Sequence, residues 1–308
     1  QVLVLGEKAN VQGLMDVGVS PGWLPGHRRV ENEQSRAQVA QVWGGEVPHG
    51  PGWGIPEVAQ RCASGEVGLL YVAGCDPLSC WARKLEPRRM LEGARRVIVQ
   101  DAFLTPAARM ADVVLPVAIL GERNGSLIGS DGTRRELRQA VPTPAPLPQD
   151  GELFVELAHR LGAELPTGDA LAGEMDQLAH WPVEVASVKS FEALDKPKPG
   201  EPVGQCLLDA AAHLFHSGQT TTHSPSLQHL SPTIAIRMNR EDAMDLGVRN
   251  GELIQIAAGE NTVMGRARID RHVRPGRLIL PCQQSADGST NMLFDEQKVV
   301  GVEVRRCS

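Results

Sequence analysis

Three apolar runs at short intervals constrain the fold of this 308-residue sequence more than any other feature. Continuous apolar runs of this length are typical of strands buried on both faces of a parallel sheet. Helical segments are predicted between them, near 83–94 and 106–111. Strands that alternate with helices form βαβ units, so residues 1 to about 165 are predicted to form an open, mostly parallel α/β sheet with flanking helices. The runs are VGLLYVAGCDP (67–77), RRVIVQD (95–101) and ADVVLPV (111–117).

Two helices in this part of the chain have clear end signals. Thr105 is a good N-cap, because its hydroxyl can accept a hydrogen bond from an orphan amide, and Pro106 suits the first helical position. The segment GELFVELAHRLG (151–162) has an apolar stripe at helical spacing and ends at Gly162. We expect this second helix to pack against the sheet.

The C-terminal part of the sequence changes character. Short apolar strands separated by turn signals predict a β-barrel or sandwich. A short helix, NREDAMDLGV, is predicted between the first two strands, with Asn239 as its cap and Gly247 as its stop. The Pro- and Gly-punctuated segment DKPKPGEPVG indicates a linker over 195–204, between domains 1–194 and 205–308. The strands are TIAIRM (233–238), ELIQIAAG (252–259), TVMGRARI (262–269) and RLILP (277–281).

Composition and spacing argue against several classes of function. A formal net charge of -6 with no basic face argues against nucleic-acid binding. The 6 cysteines contain no Cys-x-x-Cys pair, and four clustered histidines have no compact ligand spacing, so no metal site is predicted. No apolar run approaches the ~20 residues that a membrane span needs. We therefore expect a cytoplasmic protein without a membrane span of its own. The histidines are His213, His216, His223 and His229.

Polar loops follow several of the predicted strands. In open α/β sheets a ligand binds beyond the carboxyl ends of the strands, where loop amides and helix N-termini converge. Asp76 and Asp101 can accept hydrogen bonds from ribose hydroxyls or from a guanine edge, and glycine lets the backbone approach a ligand closely. Each loop alone has low specificity, because Asp-Pro turns close strands in many proteins. The loops are GEKANVQG (6–13), GCDPLS (74–79) and QDAFLT (100–105).

Taken together and in this order, four blocks of the sequence resemble the molybdopterin oxidoreductase superfamily. This superfamily includes molybdenum formate dehydrogenases and the large iron–sulfur subunit of respiratory complex I. The resemblance implies that the α/β part is the second half of a cofactor-cradling domain. It also implies a C-terminal barrel-like domain of the formate dehydrogenase or DMSO reductase type. The blocks are NVQGLMDVGVSPGWLPGHRRV, GEVGLLYVAGCDPL, VIVQDAFLTPAARMADVVLP and LSPTIAIRMNREDAMDLGVRNGEL.

Members of the superfamily that carry the cofactor bind two molybdopterin guanine dinucleotides between these layers. Asn and Gln suit this role, because one amide can both donate and accept hydrogen bonds against a pterin or guanine edge. If such a dinucleotide is bound here, the resemblance implies that the matching positions of the loops contact it. These positions are Gln12, Gly13, Gly74, Asp76, Gln100, Asp101, Gly218, Thr220 and Asn291.

Several departures from the molybdenum enzymes favour the branch in which the molybdenum site is empty. Cys75 stands where formate dehydrogenases usually have an acid or Asn, and EKAN lacks the paired amides that precede their Val-Gln-Gly. The segment between Gly162 and Gln205 is shorter than in the molybdenum enzymes and lacks their loop over the cofactor. The nearest cations in the matching loops are Lys8 and Arg109, which are few for burying the phosphates of two dinucleotides.

The resemblance therefore implies a C-terminal portion of the large iron–sulfur subunit of an NADH:quinone oxidoreductase, which supports electron transfer and subunit assembly. We expect no catalytic residue, metal ligand or cofactor in this chain. The resemblance implies that the iron–sulfur clusters lie upstream of this stretch. The Met-less start QVLVLG leads us to expect a piece of a longer polypeptide. Expected partners are the other subunits of a respiratory complex, through which the chain is peripheral to the inner membrane. Two alternatives stay open: the C-terminal part of a molybdenum oxidoreductase with molybdopterin guanine dinucleotide, such as a formate dehydrogenase, and a stand-alone scaffold.

Overall fold

A computed structural model describes most of the chain, and its internal contacts divide the chain into two compact units. The first unit holds the described residues of 9–54 and 116–179, and the second holds those of 55–115 and 206–307. The predicted linker at 195–204 lies outside the described residues, so the predicted domain boundaries stay a prediction. The described residues are 9–80, 87–179, 206–212, 219–228, 234–282, 290, 293 and 299–307.

Helices and strands alternate through the first 179 residues. The helices are α1 (Val11–Asp16), α2 (Glu33–Trp43), α3 (Ile55–Ala63), α4 (Pro77–Cys80), α5 (Pro87–Gly93), α6 (Pro106–Met110), α7 (Asp150–Arg160) and α8 (Gly168–Ala179). The strands are β1 (Trp23–Leu24), β2 (Arg28–Arg29), β3 (Leu70–Ala73), β4 (Val97–Asp101), β5 (Val113–Pro116), β6 (Gly125–Ile128) and β7 (Arg134–Leu137). Among the described helices, none combines the length and the hydropathy that a membrane crossing requires.

The three apolar runs form the sheet of the second unit, in the order β3-β4-β5. β3 and β4 pair in parallel, with Val72 opposite Val99. Val97 and Val99 on one face of β4 and Gln100 on the other are buried, and Ile98 is half-buried, so both faces of this strand are largely covered. The predicted mixed α/β fold with a parallel sheet is therefore confirmed. The buried core of this part comprises Ala59, Cys62, Val72, Met90, Leu91, Ala94, Val97, Val99, Ala107 and Ala108.

The two predicted helix signals have the expected local geometry. The Thr105 hydroxyl accepts a hydrogen bond from the Ala108 amide at 3.1 Å, and Pro106 opens α6. α7 ends at Arg160, and Gly162 has the positive φ of 79° that a helix stop requires. Leu161 of the apolar stripe is 85% exposed. Since the sheet belongs to the other unit, the packing of α7 against it stays a prediction.

Six strands of the described C-terminal residues close into a barrel, in the order β10-β11-β9-β12-β8-β13. Its parallel pairs are β11 with β9 and β12 with β8, and the other neighbours are antiparallel. The four predicted strands are confirmed, whereas β8 and β13 were not predicted. The elements are β8 (Cys206–Ala212), α9 (Gln219–Thr222), α10 (Pro225–Gln228), β9 (Ala235–Met238), α11 (Arg240–Asp245), β10 (Leu253–Ala258), β11 (Asn261–Ile269), β12 (Arg277–Cys282) and β13 (Val299–Arg306).

The barrel interior is filled by aliphatic side chains that alternate along the strands. Ile254 and Ile256 of β10 and Leu278 and Leu280 of β12 are fully buried. Gly265 lets β11 pass close to its neighbour, because an added Cβ would lie 2.8 Å from the Ile234 carbonyl oxygen. The predicted helix α11 is also confirmed. The Asn239 side chain caps it by accepting a hydrogen bond from the Glu241 amide at 2.9 Å, and its amide group donates to the Val273 carbonyl at 2.7 Å.

Candidate functional site

Four of the predicted site residues meet at one edge of the parallel sheet in the second unit. Gly74 and Asp76 follow β3, and Gln100 and Asp101 end β4. Because the two strands are parallel, their carboxyl ends lie at the same edge. The Gly74 amide donates to the Gln100 carbonyl at 2.8 Å, which extends the ladder beyond β3. Gly74 has φ of 62°, so the chain turns here through a conformation that favours glycine.

The Asp76 carboxylate is directed into the protein. Its side chain is 2% exposed. Oδ1 accepts hydrogen bonds from the Leu78 amide at 3.1 Å and from the Ala107 amide at 3.3 Å, and Oδ2 accepts one from the Ser79 hydroxyl. The carboxylate therefore caps α4 and fastens it to the first turn of α6.

The Gln100 side chain is fully buried and also has a protein partner. The Tyr71 hydroxyl donates to Gln100 Oε1 at 2.5 Å. Burial raises the pKa of Tyr71, so the hydroxyl keeps its proton and remains the donor. This contact links residues of the neighbouring strands β3 and β4.

Asp101 differs from its neighbours, because one of its carboxylate oxygens has no donor among the described residues. Oδ1 accepts a hydrogen bond from the Phe103 amide at 2.9 Å. Oδ2 is buried and has no hydrogen-bond partner in the described part of the chain, and the side chain is only 4% exposed. An unsatisfied buried oxygen is uncommon in native proteins and requires an explanation. An N–H or O–H donor of a ligand would satisfy it.

An aromatic contact joins the β4 loop to the segment between the first two barrel strands. The rings of Phe103 and His223 stack with centroids 4.3 Å apart and an interplanar angle of 14°. Thr220 lies in the same segment, in α9, and is exposed. Sequence reasoning did not pair Phe103 with a histidine, since the stack joins residues far apart in the chain. No cluster of metal-ligand type is found in the part of the chain that the structure describes.

Gln12 and Gly13 belong to the first unit, where they lie in α1. Gln12 Nε2 donates to Asp16 Oδ1 at 2.7 Å, and His27 Nε2 lies 2.5 Å from the same oxygen. Asp16 is fully buried, and its Oδ2 has no partner among the described residues. Sequence reasoning did not identify this Asp16-centred cluster, because its three side chains come from a helix and a distant turn.

Position 13 requires glycine, because the Asn10 side chain lies close to its backbone. A Cβ at this position would collide with the Asn10 side chain, whose Oδ1 accepts a hydrogen bond from the Ile128 amide at 2.9 Å. Asn10 itself has φ of 64°, a conformation that Asn tolerates better than most residues. The Asn-Val-Gln-Gly motif therefore fastens α1 to β6.

The charge of the candidate edge is negative. The loops GCDPLS and DAFLT contain two carboxylates and no Lys or Arg. Arg109 is exposed on the last turn of α6. Such an edge attracts N–H donors and repels phosphate groups. The predicted site residues Gly218 and Asn291, and Lys8, lie outside the described residues.

A separate apolar cleft of about 960 Å³ occurs in the first unit. It lies beside the end of α2, α7 and the start of α8, and none of the predicted site residues contributes to it. Its large apolar side chains are Trp43, Phe154, Leu165 and Leu171.

Comparison with protein families gives two matches along the chain. The model described as "Molybdopterin oxidoreductase" matches residues 7–160, and "Molydopterin dinucleotide binding domain" matches residues 210–300. This chain belongs to the molybdopterin oxidoreductase family. The two matches correspond to the α/β part and to the barrel, so the resemblance stated from the sequence motifs is confirmed.

Three curated relatives in this family are similar to nearly the whole chain. The NADPH-Fe(3+) oxidoreductase subunit alpha of Geobacter sulfurreducens is 30% identical over 316 residues, which cover 97% of this chain and 36% of that protein. An NADH-quinone oxidoreductase subunit of Rhizobium meliloti is 28% identical over 325 residues, or 98% and 37%. The F420-dependent formate dehydrogenase 2 subunit alpha of Methanococcus maripaludis is 26% identical over 349 residues, or 96% and 51%.

By their names these relatives are subunits, and the chain spans only about a third to a half of their length. Among solved structures, the acetylene hydratase from Pelobacter acetylenicus superposes with a TM-score of 0.58 over 89% of this chain and 50% of that one. The sequence identity is 16%, so this likeness establishes the fold alone. The fold is that of the molybdopterin oxidoreductase family, as the motifs implied.

Proposed function

We propose that this chain is the C-terminal portion of the large iron–sulfur subunit of an NAD(P)H-linked, multi-subunit oxidoreductase of the NADH:quinone type. It retains the molybdopterin fold as a structural layer that supports electron transfer and assembly. Iron–sulfur clusters in the upstream part of the subunit carry the electrons, and the other subunits of the complex hold the assembly at the inner membrane. The main support is the similarity, over nearly the whole chain, to subunits whose names refer to NADPH and NADH.

The lengths of the alignments favour this branch of the family. The alignment with the formate dehydrogenase is 349 residues long, and the alignment with the NADPH-Fe(3+) oxidoreductase subunit is 316 residues long. Both alignments cover nearly the same share of this chain. The chain therefore lacks residues that the formate dehydrogenase has within the matched region. This agrees with the short segment between Gly162 and Gln205.

The candidate edge also favours a structural role. The carboxylate oxygens of Asp76 accept hydrogen bonds from groups of α4 and α6, and Gln100 Oε1 accepts one from the Tyr71 hydroxyl. Burying phosphates requires cations or many amide donors, and the two loops supply carboxylates instead. These contacts hold the sheet edge together and occupy both carboxylate oxygens of Asp76 and the side-chain oxygen of Gln100.

A second candidate function is the binding of molybdopterin guanine dinucleotide by a molybdenum oxidoreductase such as a formate dehydrogenase. One observation favours it: the buried Asp101 Oδ2, which has no donor among the described residues, suits the N–H groups of a guanine edge. The match of residues 210–300 to the dinucleotide binding domain agrees with it. In that case Asp101 would hold the base, Thr220 of the same unit would supply a further polar contact, and the molybdenum centre would supply two-electron redox chemistry.

Purification of the native complex through a tag on this polypeptide distinguishes the two functions. We expect a flavin-containing, NADH- or NADPH-oxidising subunit to co-purify, and either nucleotide to reduce iron–sulfur clusters observed by electron paramagnetic resonance. A complex that reduces its clusters with formate and not with NADH or NADPH would contradict the proposal and favour the second function. Recovery of a monodisperse monomer without other subunits would contradict the proposed function.

A further inference from the structure

Two cysteine thiols lie next to each other at the candidate edge, and the proposed function does not use them. Cys75 follows Gly74 at the end of β3, and Cys80 is the last residue of α4. Their Sγ atoms are 3.2 Å apart, and both side chains are half-buried. An S–S bond length of about 2.05 Å is only about 1 Å shorter, so a small rotation of the side chains brings the sulfurs into bonding distance.

The fold imposes this proximity. The Asp76 carboxylate holds the turn between the two cysteines through the Leu78 amide and the Ser79 hydroxyl. The Asp76 carbonyl accepts a hydrogen bond from the Cys80 amide at 3.0 Å. The Ala107 amide fastens the same carboxylate to α6. The two sulfurs are therefore held together by the capped turn and are not brought together by an exposed, freely moving loop.

We propose that Cys75 and Cys80 form a reversible intramolecular disulfide, which makes this turn a site of thiol–disulfide exchange. In the first step the Cys75 thiolate attacks one sulfur of a small-molecule disulfide such as oxidised glutathione, forms a mixed disulfide and releases one glutathione thiolate. In the second step Cys80 loses its proton and attacks the Cys75 sulfur, which releases the second glutathione. Two protein thiols are oxidised, and one external disulfide is reduced to two thiols.

The surroundings of the two thiols indicate which one attacks first and which one resolves the mixed disulfide. The hydrogen bond to Cys75 and burial raise the pKa of Cys80, which disfavours Cys80 as the first attacking thiolate. Cys75 is therefore the attacking thiol, and Cys80 is the resolving one. The buried cysteines are poor competitors, because burial raises the pKa of Cys62, and burial together with Asp242 raises the pKa of Cys206 to about 11.

Oxidation would close a ring that contains Asp76, next to Gly74. The disulfide would restrict local unfolding of α4, because the residues at both ends of the turn would be covalently joined. The redox state of the pair would then change the flexibility of the candidate edge without a change of its fold.

Mass spectrometry of proteolytic fragments tests the proposal directly. The protein is incubated with oxidised glutathione, and the remaining thiols are alkylated. A protease that cuts on the amino side of Asp76 separates the two cysteines, so only a disulfide keeps the fragments together. We expect the fragments to stay linked, with the loss of two hydrogens, and to separate after dithiothreitol. Separate glutathione adducts on the two cysteines, or two alkylated thiols, would overturn the proposal.

Matched variants identify the pair. In Cys80→Ser the mixed disulfide between Cys75 and glutathione should persist, because the resolving thiol is missing. In Cys62→Ala the yield of linked fragments should be unchanged, because Cys62, which lies in the same fragment as Cys75, is fully buried and is not the partner of Cys80. If Cys80→Ser does not fold, the wild-type protein can be treated with phenylarsine oxide before the incubation with oxidised glutathione. This reagent bridges two adjacent thiols and so tests whether Cys75 and Cys80 react as a pair. Prior treatment should abolish the linked product, and an unchanged yield of linked fragments would contradict the assignment.

Discussion

The Asp76 carboxylate accepts a hydrogen bond from the Ala107 amide at 3.3 Å, across 31 positions of the chain. This contact fastens the loop after β3 to the first turn of α6. The same oxygen accepts a bond from the Leu78 amide, so it satisfies the orphan amides of two helices at once. Asp76 stands at a position for which the family resemblance implies cofactor contact, yet its described contacts are with the protein.

Substitution of Asp76 tests its structural role. Asp76→Ala removes the acceptor for Leu78, Ser79 and Ala107, and we expect a loss of about 2 kcal/mol in the free energy of unfolding. Urea denaturation followed by circular dichroism measures it. Asp245→Ala, which removes an exposed carboxylate at the end of α11, is the control and should change the stability by less than about 0.5 kcal/mol. Equal effects of the two substitutions would argue against the capping role.

The Tyr71 hydroxyl should contribute to stability and to its dependence on pH. Tyr71→Phe leaves buried Gln100 Oε1 without this donor, which should cost about 1–2 kcal/mol. Because the pKa of Tyr71 is raised in the folded state, its contribution is complete below the ordinary tyrosine value of about 10 and is lost as pH rises above it. The difference in stability between wild type and Tyr71→Phe should therefore shrink from pH 8 to pH 11. A constant difference over that range would contradict the described environment.

The stack of Phe103 on His223 should couple the β4 loop to the barrel segment. We expect a double-mutant cycle with Phe103→Ala and His223→Ala to give a coupling of about 0.5–1 kcal/mol in the free energy of unfolding. Phe103 paired with His272, which is exposed beside Asp270, is the control cycle and should give additive effects. Additive effects in the first cycle would mean that the two rings do not interact in solution.

Substitutions of Asp101 distinguish a sheet edge without a ligand from one that binds a ligand. If no ligand donor meets Oδ2, Asp101→Asn removes a buried, half-satisfied charge and should stabilise the protein by about 1 kcal/mol. Asp101→Ala also removes the acceptor of the Phe103 amide and should destabilise by a similar amount. Thermal unfolding of the two variants beside wild type gives the comparison. A destabilising Asp101→Asn, together with loss of a bound nucleotide, would favour the second function.

Sequence patterns predicted most of the fold, because strand burial and helix capping depend on residues that are close together in the chain. The alternation of apolar runs with helices indicated the parallel sheet, and the Thr105 cap and the Asn239 cap were both found as expected. The strands β8 and β13 were not predicted. Their pairing partners within the barrel are distant in sequence, and Gly301 interrupts the apolar pattern of β13.

The candidate site was predicted less completely than the fold. The order of motifs identified the strand ends at Asp76 and Asp101, but not the hydrogen bond from the Ala107 amide to Asp76, which joins residues 31 positions apart. The Phe103–His223 stack and the Cys75–Cys80 proximity arise from turns whose geometry the sequence does not specify. Polar residues at a strand end therefore predict a location, and the hydrogen-bond partners decide what the location can bind.

Metal analysis of the native complex shows whether the molybdopterin fold of this chain is a structural layer without a cofactor. The polypeptide that contains this chain is purified with its partners, and molybdenum, iron and released guanine nucleotide are measured per chain. We predict iron in amounts typical of several clusters, without stoichiometric molybdenum or guanine nucleotide. One molybdenum atom per chain, accompanied by guanine nucleotide that is lost in Asp101→Asn, would contradict this prediction.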